Sequence, residues 1–271
     1  MSNLKTLRLT KTLDNYLPPA KMVDSEEAEL IIVGGQQFRL SDYPGLRGVF
    51  KVGVGTENID FDGLEASRIR FRGPSAETSA LIYDETAAFA CHLIMTALYR
   101  ATGDFDSWTK FDRSFIKDRN VLLLGRGNIG SRVERLLSPM LNVKIFDLAE
   151  SPLAELPSLI EQADVVSLHI PGGAENGAFV NDEFLKKMVD GATLVNTSRG
   201  SLIDEDALLD ELMKGRLYAY LDVFSSEPYR GPLRSAIGKH LFVTPHVAST
   251  SRAFHDGLIA DLERFSIELS P

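Results

Sequence analysis

RNVLLLGRGNIGSRVERLLSPML, residues 119–141, decides the fold. It begins as RNVLLLG (119–125), a short apolar run of the kind that fills a buried strand. It continues as NIGSRVERLLSPML (128–141), with Ile129, Val133, Leu136 and Leu137 at helical spacing. Between the two stands GRGNIG (125–130), a G-x-G-x-x-G pattern. The pattern alone is weak, because glycine is common; a strand before it and a helix after it give each glycine a task. Gly125 permits the tight turn, Gly127 lets the backbone approach a pyrophosphate, and Gly130 lets helix and strand pack closely. Arg126, Asn128 and Ile129 complete the loop, and the helix start offers unpaired N–H groups and a positive dipole end to phosphates. Asp147 ends the next strand, NVKIFD (142–147), where a carboxylate accepts hydrogen bonds from ribose hydroxyls and repels a 2′-phosphate. The reading is a dinucleotide site that takes NAD (NADH) in preference to NADP. A structural glycine turn and a methyltransferase holding another adenosine cofactor are the alternatives.

The pattern continues outward. DVVSLHI (164–170), ATLVNTS (192–198), YAYLDVF (218–224) and HLFVTPHV (240–247) read as strands. Helices are read at 153–162, at NDEFLKKM (181–188), with Asn181 as cap, and at DEDALLDELMKG (204–215), with Asp204 as cap and Gly215 as stop. Strands alternating with helices predict an α/β fold with a parallel, doubly wound sheet. Upstream, LKTLRLT (4–10), ELIIVGG (29–35), VFKVGVG (49–55) and SRIRFRG (67–73) look like strands joined by weakly helical segments. TAAFACHLIMTALYR (86–100) is apolar nearly all round, as in a helix buried between domains or subunits. The boundaries expected are a first domain over 1–85, completed by a helix within 250–271, and a second over 86–249.

Bulk composition narrows the function classes. The chain has 271 residues, 44% hydrophobic, with a formal net charge of −9. That allows a large core or two modest ones, and argues against a nucleic-acid or anionic-membrane partner. Cys91 is the one cysteine, which excludes cysteine-rich metal or iron–sulfur sites and fits a reducing, cytoplasmic setting. The first twenty residues lack the apolar segment of a secretory signal, and no run reads as approaching the ~18 apolar residues of a membrane span.

Ligands of doubly wound sheets bind outside the carboxyl ends of the strands. Among the ionisable residues of the second half, three are singled out there. Arg199 follows a strand in VNTSRG (195–200), Glu227 lies in DVFSSEP (222–228), and His246 ends HLFVTPH (240–246). As a set they suit hydride transfer to a carbonyl. Histidine has the pKa to supply the proton, a carboxylate beside it favours imidazolium and orients the ring, and arginine grips a carboxylate bidentately. Gly200 reads as the small residue that lets the chain turn away. His169, before Pro171, is expected beside the cofactor, lining the adenine pocket. His92 reads as packed in the apolar helix, and His240 and His255 as loop or surface residues. No spacing suggests a metal site.

With these residues in view the chain resembles the D-isomer-specific 2-hydroxyacid dehydrogenase family. The matching stretches are VGVGTENID (52–60), GRGNIG (125–130), VNTSRGSLIDEDAL (195–208), LDVFSSEP (221–228) and TPHVAS (244–249). The resemblance implies two doubly wound α/β domains with a cleft between them: a Rossmann NAD-binding domain and a smaller flavodoxin-like substrate domain. It implies that Arg199 binds the substrate carboxylate and carbonyl, that His246 is the general acid/base, and that Glu227 is its partner. The amides near Val54 and Gly55 would help hold the carboxylate, and Asp222 with Thr197 and Ser198 would meet the nicotinamide carboxamide. The substrate would be a small 2-oxo or 2-hydroxy acid, with glyoxylate, hydroxypyruvate, pyruvate and phosphohydroxypyruvate all open. A homodimer through the cofactor domain is expected, with the helix at 86–100 as hinge and dimer element. PGGAENGAF (171–179) departs from the family's usual Thr-containing turn, and Ala87–Ala88 replaces its usual Ala-Glu pair. The alternative function is a dinucleotide-sensing binding protein of the corepressor type.

Overall fold

A computed structural model of the chain describes residues 4–18 and 23–270. Part of the N-terminal stretch read for a signal segment therefore lies outside the described residues. The chain divides into two compact units, Met1–Ile82 with Thr250–Pro271, and Tyr83–Ser249.

The first unit is built on β1 (Thr6–Arg8), β2 (Leu30–Val33), β3 (Gly48–Lys51) and β4 (Arg70–Arg72), with a six-residue helix α1 (Phe61–Ala66) before β4. All pairings are parallel and the sheet order is β1-β2-β3-β4. The central strands β2 and β3 are buried along their length because both faces are covered, while the edge strands β1 and β4 carry arginines and are only partly buried. Alternation along β2 sends Leu30 and Ile32 to one face and Ile31 and Val33 to the other. The first face meets Phe254, Leu258, Leu262, Phe265 and Leu269 of the C-terminal helix, Arg252–Leu269, which is capped by Ser251. The second meets Tyr43, Leu46, Ile59 and Leu64. Among the described residues strand order follows chain order in this unit, and the reversal of a doubly wound sheet is seen in the other. His255, expected at the surface, is 5% exposed and stacks on Tyr16, because its helix turns that position toward the unit's interior.

Helix α2 (Ala76–Leu98) begins about ten residues before the apolar stretch that announced it, and the division between units falls inside it. Among the described residues it is the one helix long and apolar enough to cross a bilayer, contrary to the sequence reading. Ala87, Ala90, Leu93, Ile94 and Ala97 are fully buried in the second unit's core, against Val121, Leu123, Val165 and Val195. His92 lies on the exposed side of the helix rather than packed.

A small hairpin, β5 (Gly103–Asp104) with β6 (Thr109–Lys110), precedes the second unit's sheet. That sheet comprises β7 (Asn120–Leu124), β8 (Asn142–Phe146), β9 (Val165–Leu168), β10 (Thr193–Asn196), β11 (Tyr218–Leu221) and β12 (Leu241–Val243). Its helices are α3 (Gly130–Leu137), α4 (Leu156–Ile160), α5 (Asp182–Lys187) and α6 (Glu205–Met213). All six strands are parallel, in the order β12-β11-β10-β9-β7-β8. The order reverses at β7, which leaves a switch point between β7 and β9. The caps expected at Asn181 and Asp204 are made: Asn181 Oδ1 accepts the Phe184 N–H at 3.0 Å, and Asp204 Oδ1 accepts those of Asp206 and Ala207 at 3.2 and 3.1 Å. β12 is shorter than expected, because Pro245 has no N–H to donate and His246 adopts φ 55°.

Phe265 is 1% exposed and sits 6.3 Å from Phe50, centroid to centroid. Phe265→Ala is expected to lower the stability of the first unit by about 3–5 kcal/mol. Hydrogen exchange of the β2 and β3 amides under increasing urea measures it; a loss below about 1 kcal/mol would show that the helix does not seal this core.

Candidate active site

The second sheet's register draws its strand ends into one line. Leu124 pairs with Phe146 and Leu168, Asn196 with Leu168 and Leu221, and Leu221 with Val243. The residues that follow directly, Asp147, Gly125, His169, Thr197, Asp222 and Thr244, therefore form one rim. Five of these six are residues the sequence singled out.

At the switch point the glycine loop is built as its sequence requires. Gly125 has φ 104°, a conformation other residues rarely adopt, and a Cβ there would lie 2.6 Å from the His169 carbonyl oxygen. A Cβ on Gly130 would lie 2.1 Å from the Gly125 oxygen, whereas one on Gly127 would meet nothing within 4 Å. The space above Gly127, at the start of α3, is thus open. Asp147 Oδ2 accepts the Arg126 N–H at 2.7 Å and Oδ1 accepts that of Ala149 at 3.0 Å, so the acid is tied to the loop it follows. Asn128 and Ile129 lead into α3, and the Asn128 carbonyl accepts from Arg132 at 2.6 Å. His169 Nε2 lies 3.0 Å from Ser167 Oγ, and burial pushes the imidazole down to about 4, so it is neutral near pH 7. The Pro171 carbonyl accepts from Asn176 at 3.1 Å.

Thr197 Oγ1 and His169 Nδ1 are buried and have no hydrogen-bond partner among the described residues. A buried polar atom without a partner is costly unless a ligand supplies one. Open space at Gly127, a carboxylate beyond β8 and an unsatisfied hydroxyl beyond β10 fit a dinucleotide laid along this rim.

Asp222 is fully buried. Its carboxylate accepts Thr244 Oγ1–H at 2.5 Å and the N–H groups of Val247 and Ala248 at 2.8 and 2.9 Å. Three donors offset the cost of burying the charge. They also fix the 244–248 loop, and the His246 N–H bonds the Asp222 carbonyl at 2.9 Å. His246 Nδ1 then lies 2.7 Å from Glu227 Oε2, while Glu227 Oε1 accepts the Phe224 N–H at 3.1 Å. The Glu227 hydrogen bond is the largest influence on His246 and raises its pKa. Burial opposes this, the charges of Glu227 and Asp222 add to it, and Arg199 lowers it. Burial alone would raise Glu227; the bond and charge of His246, the Phe224 amide and the Arg199 charge outweigh it and hold the carboxyl low. Arg199 is thus near enough to act electrostatically on both. The structure brings together the three strand-end residues that the sequence set apart.

Arg199 itself is half-buried, and its Nη1 donates to the Ser198 carbonyl at 2.7 Å. Asn196, fully buried, accepts the Ser198 N–H at 2.9 Å and donates to the Arg199 carbonyl at 2.8 Å. Ser198 Oγ donates to the Ile170 carbonyl. A Cβ on Gly172 would lie 2.8 Å from Arg199 Cγ, so that glycine makes room for the arginine stem. Gly200 is corrected by the structure. It is not among the positive-φ glycines, and its role is close approach rather than turning: a Cβ there would lie 1.8 Å from the Phe224 carbonyl carbon. Asn196, Gly172 and Thr244 escaped the sequence reading, since nothing local marks a contact made between strand ends.

In the first unit, the loop after β3 carries Val54 and Gly55, both half-buried. Beneath it lies Lys51, 5% exposed, whose ammonium donates to the Gly34 carbonyl and to Asn58 Oδ1. Asn58 donates in turn to the Gly34 and Gln36 carbonyls at 3.1 and 2.6 Å.

A glycine loop at the switch point of a doubly wound sheet, with an imidazole–carboxylate pair on the same rim, defines a nicotinamide-dependent oxidoreductase. Residues 92–248 match the profile described as D-isomer specific 2-hydroxyacid dehydrogenase, NAD binding domain. The chain belongs to that family, and NAD(H) is its cofactor. It is 32% identical to a hydroxypyruvate reductase of Thermotoga maritima, over 77% of this chain and 72% of the relative. It is 28% identical to a glycerate dehydrogenase of Cucumis sativus, over 76% and 62%. The fold is that of a D-lactate dehydrogenase of Aquifex aeolicus, solved with NAD and lactic acid (TM-score 0.72, 23% identity, 96% of this chain and 92% of that one).

Gly200→Ala is expected to force the 199–201 and 224–225 backbones apart and cost about 1–3 kcal/mol or more. Thermal unfolding checks it; an unchanged Tm would mean that the two loops are not in contact.

Proposed function

We propose that the protein interconverts a small 2-oxo acid and the corresponding D-2-hydroxy acid. The observation that carries this is the 2.7 Å His246–Glu227 pair under the charge of Arg199, on the cofactor rim. Bound NADH supplies the hydride that adds to C2. With Nδ1 engaged by Glu227, Nε2 of His246 is the ring nitrogen left to give a proton to the C2 oxygen, which becomes the hydroxyl. Arg199 holds the substrate carboxylate and polarises the neighbouring carbonyl, and the guanidinium fork suits both tasks. The amides near Val54 and Gly55 are assigned to the carboxylate as well. Thr197, Ser198 and Asp222 are assigned to the nicotinamide end of the rim, His169 and Pro171 to the adenine end, and the Asp147 carboxylate to the ribose, where it disfavours a 2′-phosphate. Hydroxypyruvate and glyoxylate head the candidate acids, because relatives that bear those names span most of this chain.

We also propose a homodimer through the cofactor unit. Supporting it is the segment between α2 and β7, where Phe105, Trp108 and Phe115 are 82%, 74% and 63% exposed. Such aromatics usually meet a partner. Reducing conditions suit the single cysteine, and a cytoplasmic setting is part of the proposal.

Arg199→Ala is expected to lower kcat/KM for 2-oxo acid reduction by several orders of magnitude, about 4 kcal/mol or more. NADH consumption at about 340 nm with a panel of 2-oxo acids measures it. Near-normal turnover in the variant would sink the assignment, and tight NADH binding with no turnover of any acid by the parent would favour the sensor. Reduction needs imidazolium. Because Glu227 raises His246, activity should persist above the pKa of free histidine and fall as pH rises through the raised value. Glu227→Gln should move that falling limb to lower pH; an identical profile would argue against the pairing.

A further inference from the structure

Glu227 sits on a loop that has left β11, so something outside the sheet must hold it within reach of His246. Among the loop's fastenings are two from the 200–205 segment. One is the packing of Gly200 against Phe224. The other is Glu205, the first residue of α6. Glu205 Oε1 accepts the Ser225 N–H at 3.1 Å, and Oε2 accepts the Tyr229 O–H at 2.7 Å. Ser225 and Tyr229 stand two residues before and two after Glu227, so one carboxylate clasps both sides of the segment that carries it. Tyr229 is fixed in turn: its ring stacks on Phe224 at 4.4 Å, and its oxygen accepts the Leu233 N–H at 3.1 Å. Glu205 itself cannot drift, because Asp204 caps the helix that begins with it.

We propose that Glu205 is a positioning residue for the acid/base pair: it holds the 225–229 loop so that Glu227 stays hydrogen-bonded to His246. The inference rests on the reading of His246 as proton donor only for its effect on turnover. Its structural content is independent of the substrate. The charged groups that act on His246 are Glu227, Asp222 and Arg199. Asp222 and Arg199 are fixed by other contacts, so releasing the loop should remove the Glu227 contribution alone.

The test is an NMR titration of the His246 imidazole, assigned by its absence in His246→Gln. In Glu205→Ala the His246 pKa is expected to fall by about one unit, a tenfold change in proton affinity. Glu205→Gln, which keeps an acceptor for Ser225, should restore most of it, and Tyr229→Phe should give an intermediate value. NADH affinity by fluorescence should stay within about twofold, since Glu205 lies outside the glycine loop. In a Glu227→Ala background, Glu205→Ala should move the His246 pKa no further. An unchanged titration in Glu205→Ala, or an equal shift in the Glu227→Ala background, overturns the inference. If the titration shifts as expected but no 2-oxo acid is reduced by the parent, the functional reading falls and the positioning role stands. If acids are reduced and the titration does not move, the reverse holds.

Discussion

The aligned register of the six-stranded sheet is the constraint on which the site depends. Parallel strands share hydrogen bonds at fixed steps, so pairing Asn196 with Leu168 and Leu221 leaves no freedom in where those three strands stop. Everything that follows a last paired residue then emerges at one level. The glycine loop, Asp147, Thr197 and Asp222 reach the same rim although long helical connections separate them in sequence. A shift of one residue in any strand would bury its rim residue and turn its neighbours to the opposite face. Every strand residue of β9 and β10 is buried, and a shift would also break the bonds of the buried Asn196 side chain to the Ser198 N–H and the Arg199 carbonyl.

Above that rim the electrostatics are a balance of opposed influences. Glu227 makes His246 a better base, and Arg199 makes it a better acid. Arg199 also deepens the ionisation of Glu227. An anionic substrate paired with Arg199 would quench part of its field, and the histidine would then hold its proton more firmly until the carbonyl oxygen needs it. Asp222 contributes differently. Both its oxygens are committed to the 244–248 loop, so it serves as an anchor as well as a charge.

How much of this was legible depended on distance along the chain. The glycine loop, the helix caps at Asn181 and Asp204 and the strand–helix alternation are local patterns, and the structure forms them where the sequence put them. Arg199, Glu227 and His246 could be grouped because parallel strands all end on one side. The start of α2 was hidden, since Glu77, Asp84 and Glu85 interrupt the apolar pattern that marks its later turns. Gly200 was misread for a related reason. A glycine after a strand suggests a turn, and only the fold reveals that Phe224 occupies the space a side chain would fill. Glu205 stands in the first turn of α6, where an acidic residue is ordinary, and its partners lie 20 and 24 positions away.

The division of the chain also orders events during synthesis. The second unit is one continuous stretch, Tyr83–Ser249, while the first is interrupted by it. A ribosome therefore releases every residue of the later unit before it makes Phe254, Leu258, Leu262 and Phe265, which cover one face of the earlier sheet. Until then Leu30, Ile32 and Phe50 have no lid, and an apolar sheet face waits in the open. The cofactor-binding half can mature first. The half that begins the chain is the last to be completed, and during that interval it is the part most in need of a chaperone.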